Sequence, residues 1–236
     1  MRMDWVPVSA ALLLTGALAL CLGSFLLPST DDAGDTLRIV EEQGGQWLAA
    51  AAVFFLSSVF LTLGFPAVLT LFPGRGWVLG LVSGIFLELG FIGTAGFAML
   101  MTFVRSLVQA DALRESGLEA ASTEAGLTVF LSVWIGGLYL GELLLGIALL
   151  RARTVPRWVP FALLAHVLTL PLSSVLPDAV AKAAILFFVL GFAGIAVHVT
   201  SPPRRRFSRA RSAEPVQLSA VTRSRTCPGA ASYPGK

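Results

Sequence analysis

Charged residues are scarce in this chain. Only 13% of its 236 residues are Asp, Glu, Lys or Arg, against roughly 25% in an ordinary soluble domain, while 56% are hydrophobic. That balance excludes a soluble globular domain and points to an integral membrane protein. Cysteine is as sparse. Cys21 lies in an apolar run and Cys227 in the polar C-terminal segment, so no disulfide framework is expected. Cys21 also lacks the small preceding residue of a lipidation site, because Leu20 stands there and apolar residues continue to Leu27. The first run therefore reads as an uncleaved helix, with signal cleavage near Ala19 as the alternative. Catalytic signatures are missing too: no GxSxG, no Walker loop, no HExxH and no CxxC. This argues against a familiar enzyme but not against every intramembrane one, and no cofactor is expected. The formal charge of +3 does not imply nucleic acid, because the positive charge is segregated into loops and the C-terminal segment.

What the chain has in quantity is apolar runs, at 5–27, 47–72, 76–104, 127–150, 158–176 and 179–199. About twenty residues at roughly 1.5 Å each match a hydrocarbon core of about 30 Å. Backbone polar groups must pair within each segment in lipid, so these runs are expected to be helices. The expected fold class is all-α, a polytopic six-transmembrane-helix bundle over residues 1–200, followed by a disordered basic tail over 201–236. Arg2, Arg75, Arg151, Arg153, Arg157 and the C-terminal arginines collect on one side. Arg38, Arg105, Arg114 and Lys182 fall on the other, diluted by acidic residues. The positive-inside rule then makes both termini cytoplasmic, in agreement with an even number of spans. The resulting expectation is a multi-pass protein of the bacterial plasma membrane.

Each of the two longest outer connections, 28–46 and 105–126, has room for a short amphipathic helix, such as 35–42 capped by Asp35. Trp5, Trp47, Trp77 and Trp158 begin spans and are expected at headgroup level. Pro7 and Pro160 sit in first helical turns, where a missing N–H costs little. Pro66 and Pro171 lie deeper, and each removes the bond to the carbonyl four residues earlier, so both are expected to kink their helices. The inner turn 73–76 makes spans two and three antiparallel neighbours.

The residues with chemical potential are few. Glu88 and Glu142 are the carboxylates within spans, and His166 is the imidazole. Charge at mid-bilayer costs at least ~3 kcal/mol, so such groups face the bundle interior and mark either a function or an interhelical bond. Glu142 lies about 12 Å before the end of its span and His166 about 12 Å after the start of the next, which puts them level, with Glu88 deeper. Gly80, Gly84 and Glu88 form one stripe, and Tyr139 shares a face with Glu142. Thr169 is one turn from His166. The expectation is a polar cluster of Glu88, Tyr139, Glu142, His166 and Thr169 that binds a proton, cation or small solute. The alternative is structural, with the same groups hydrogen-bonded across helices. A metal site lacks a local motif such as Glu-x-x-His, and a bis-histidine haem is disfavoured because His198 ends span six at the surface. Neither is expected.

Beyond the last span, Arg204, Arg205, Arg206, Arg209 and Arg211 are expected to attract anionic headgroups of membrane lipids at about 1 kcal/mol each. Their simpler role is a stop-transfer signal.

The order of three features resembles an uncharacterised family of bacterial six-helix membrane proteins, a domain of unknown function. These are Phe72-Pro73 closing span two, Glu88 within span three, and Thr154-Val155-Pro156-Arg157-Trp158 leading into span five. In the family's pattern an Arg precedes the Glu by one turn, where this chain has Ile85. The resemblance implies topology rather than activity. Two functions follow: binding or moving a small solute, cation or proton through the Glu cluster, or a non-catalytic scaffold whose basic tail binds lipid or a partner.

Overall fold

A computed structural model describes residues 5–30, 32–74, 76–172 and 178–201. Among these residues the chain is all-helical, with no strand. In order, the helices are α1 (Trp5–Leu26), α2 (Ala33–Glu42), α3 (Gly44–Gly64), α4 (Pro66–Leu69) and α5 (Trp77–Gln109). They continue with α6 (Glu115–Ser122), α7 (Ala125–Ala152), α8 (Trp158–Leu172), α9 (Asp178–Ala183) and α10 (Ile185–Thr200). Arg2, Arg75, Cys227 and the arginines from Arg204 to Arg211 lie outside the described residues.

Four apolar helices are long enough to cross a membrane: α1, α3 continued by α4, α5 and α7, with 22, 26, 33 and 28 residues. The runs expected as spans five and six are shorter among the described residues, 15 residues in α8 and 16 in α10. Pro171 lies inside α8 and offers no N–H to the Val167 carbonyl four residues earlier. At 33 residues α5 is about 50 Å long, well beyond a hydrocarbon core, and its last turns project past it or tilt.

Large apolar side chains point outward on every long helix, among them Leu22, Leu63, Ile92, Val129, Leu168 and Val197, each more than half exposed. Polar residues meanwhile sit inside, with Ser57, Ser83, Thr94 and Glu142 almost fully buried. Water would favour the opposite arrangement, and lipid favours this one.

The apolar helices pack on their chain neighbours in the order α1, α3, α5, α7, α8, α10, and α10 closes back on α1. Phe65, Phe91, Phe188, Phe192, Leu61 and Leu87 fill the buried core. Where hydrophobicity drives no helix association, small residues let backbones approach. A Cβ on Gly64 would stand 2.4 Å from the Leu13 backbone nitrogen, and one on Gly141 would stand 2.6 Å from that of Leu87. These contacts bind α3 to α1 and α7 to α5.

Three expectations are corrected in detail. The helix in the first outer loop is α2, and its cap is Asp32, whose side chain accepts from the Asp35 N–H at 2.7 Å. The chain turns helical two residues earlier than expected because Asp32 has the extended backbone that a cap requires. Trp47 is not an exposed anchor. It is buried, and its Nε1–H donates to the Met101 carbonyl at 2.9 Å, whereas Trp5, Trp77 and Trp158 are exposed at their helix starts. Arg105, expected in a loop, is on α5 and donates to the Val40 carbonyl of α2 at 3.3 Å, its guanidinium lying over Gly44 where any Cβ would collide.

Candidate functional site

Glu142 is carried by α7 and is fully buried. The preceding Gly141 is pressed against α5, which turns the next side chain about 100° away, toward α8. There Glu142 Oε2 lies 2.7 Å from His166 Nδ1. One proton serves this contact, whether a neutral acid donates to a neutral imidazole or an imidazolium donates to a carboxylate. Those two arrangements carry no net charge, which is what a low-dielectric interior tolerates, whereas a neutral imidazole donating to a carboxylate would leave one negative charge there. The other oxygen, Glu142 Oε1, is buried and has no hydrogen-bond partner among the described residues.

His166 is held by rings on two sides. Tyr139 stacks on it at 5.2 Å between centroids and 15° between planes, and Phe188 of α10 meets it edge-on at 5.5 Å and 67°. Tyr139 and Glu142 are three residues apart on α7, so they contact the same imidazole from one face. Thr169 donates back to the His166 carbonyl at 2.6 Å and is also a hydrogen-bonding neighbour of the Tyr139 hydroxyl. Tyr139, Glu142, His166 and Thr169 thus form one contiguous polar cluster between α7 and α8, walled by α10.

Glu88 is placed elsewhere. Its stripe runs against the end of α3 and beyond, with Gly80 under the Phe72 ring and Gly84 under the Phe65 ring. The half-buried Glu88 carboxyl then meets the Thr62 hydroxyl of α3. The two carboxylates have separate partners on separate helices. Residues the sequence reading did not single out are Phe188, hidden in the uniformly apolar α10, and the Thr62 side chain, whose only signal was its place one turn before Pro66.

His198 is exposed in the last turn of α10. No group of three or more His, Cys, Asp or Glu with the spacing to hold a metal occurs among the described residues. The cluster itself places a carboxyl and an imidazole within proton-sharing distance, with two hydroxyls alongside. Compared with protein-family models, curated proteins and solved structures, the chain matches none, so the likeness carried by Phe72-Pro73, Glu88 and the turn from Thr154 to Trp158 has no family model behind it.

Proposed function

We propose that this is a six-span protein of the bacterial plasma membrane, with both termini cytoplasmic, that binds and passes on a proton at the Glu142–His166 pair. The span count rests on α8 and α10 taking full places in the ring of apolar helices, and on α9 and α10 running nearly end to end. The orientation rests on the arginine distribution.

The observation that carries the functional reading is the unequal use of the Glu142 oxygens. A bond made only to hold two helices together would leave a buried acceptor unsatisfied at a cost of about 1–3 kcal/mol. A site that takes up and releases a proton needs such a free oxygen. The Tyr139 and Thr169 hydroxyls extend the chain of exchangeable groups along α7 and α8. Glu88 serves a separate bond to α3 in this reading.

The scaffold reading has one observation in its favour: Glu142 is wholly enclosed and His166 is clamped between rings, as in an interhelical contact worth about 0.6 kcal/mol. One experiment separates the two. The parent, Glu142→Gln and His166→Gln are reconstituted in liposomes, and internal pH is followed with a fluorescent dye after a pH jump. Proton entry above that of empty liposomes, lost in both variants while their melting temperatures hold, supports proton transfer. Equal entry in parent and variants overturns it.

A further inference from the structure

The last turn of α7 and the connection to α8 carry three exposed arginines, Arg151, Arg153 and Arg157. Arg153 caps α7 with a left-handed backbone, φ 55°, where glycine is the relaxed choice and an arginine costs strain. Beside this turn is a cleft of about 570 Å³. Arg153 and Arg157 line it together with Leu149, Leu150, Pro160 and Phe161. Neither guanidinium has an ion-pair partner among the described residues. Phe161 and the neighbouring Trp158 are both more than half exposed, on the outer surface where the apolar α8 begins.

Two unpaired guanidinium groups bind phosphate through forked hydrogen bonds. An apolar wall running on into a membrane-facing helix would be wasted on a free anion, and a soluble acidic protein would not reach along it. We propose that this cleft binds an anionic phospholipid, its phosphate between Arg153 and Arg157 and its glycerol and first acyl carbons along Leu150 and Phe161. The site is distinct from the Glu142–His166 cluster, and it is built from the folded helices rather than from the arginines beyond residue 203.

The test uses the full chain in neutral detergent, offered phosphatidylglycerol and phosphatidylcholine in mixed micelles, with bound lipid counted by native mass spectrometry. The variants are Arg153→Gly, Arg157→Gln and the double substitution, all with the C-terminal segment intact so that its contribution cancels. Each single variant is expected to bind phosphatidylglycerol about fivefold more weakly, with phosphatidylcholine unchanged. Arg153→Gly relieves the left-handed backbone, so a loss of lipid in that variant without a lower melting temperature cannot be put down to unfolding. Undiminished phosphatidylglycerol binding by the double variant overturns the proposal. So does displacement of the lipid by inorganic phosphate at constant ionic strength, which would show an anion site with no need of an acyl chain.

Discussion

Ser9 Oγ on α1 lies 2.9 Å from both the Leu63 and the Gly64 carbonyl oxygens of α3. The break at Pro66 takes the helical donor from the second of these acceptors. Proline offers no N–H to Thr62, α3 stops at Gly64, and the Val68 N–H turns to Phe65 at 2.8 Å instead of reaching back to Gly64. In lipid a broken ladder must be mended by a neighbouring helix, and a serine hydroxyl can do it. Gly64 has no Cβ to keep α1 away, so Ser9 comes close enough.

Ser9→Ala is therefore expected to lower unfolding free energy by about 1–2 kcal/mol, measured by denaturation in detergent. Pro66→Ala restores a donor and lets the ladder run on, so the cost of Ser9→Ala should shrink in that background. An equal cost in both backgrounds would show that Ser9 is not mending the proline break.

The apolar helices were legible because lipid leaves a long apolar segment one solution, and the fixed rise per residue made depth countable. Glu142 and His166, placed level by that arithmetic, are 2.7 Å apart. Facing was harder to read. On α5 nearly every side of the helix is apolar, so nothing in the pattern says which face meets which neighbour. One glycine stripe ends at Glu88 and packs under Phe72 and Phe65, while Gly90 and Gly93 lie against Leu138 and Trp134 of α7. Only the packed structure sends Glu88 to Thr62. The burial of Trp47 was illegible for a similar reason, since its carbonyl partner, Met101, is 54 residues away.

Two glycines on α7 should respond in opposite ways. A Cβ on Gly136 meets nothing within 4 Å, so Gly136→Ala gains helix propensity of up to about 1 kcal/mol. Five residues on and on another face, a Cβ on Gly141 stands 2.6 Å from the Leu87 nitrogen, which is backbone and cannot swing aside. Gly141→Ala should cost about 1–3 kcal/mol and loosen α7 from α5. Melting temperatures in one detergent check both, and a destabilised Gly136→Ala would mean that this face is covered in the folded protein.

The separate partners of the two intramembrane carboxylates predict additivity. Glu142→Ala leaves a buried imidazole without its partner and should cost about 1–3 kcal/mol, whereas Glu88→Ala, which forfeits one bond to Thr62 at a half-buried position, should cost about 0.6 kcal/mol. The double variant should equal the sum within about 0.5 kcal/mol. A larger coupling would mean that the carboxylates share a network after all.

Thr154 offers the reverse case, a polar group whose removal should help. Its Oγ1 is buried without a hydrogen-bond partner among the described residues, between Arg153 and Arg157 in the chain. A buried hydroxyl that makes no bond has lost its hydration for nothing, and Thr154→Val keeps the branched shape while removing the unpaired atom. Stability should be unchanged or higher by up to about 1 kcal/mol, as read by thermal melting. Phosphatidylglycerol binding at the neighbouring arginines should not change, since the hydroxyl does not line that cleft. A loss of stability would mean that the hydroxyl has a partner in the folded protein, and that the turn into α8 depends on it.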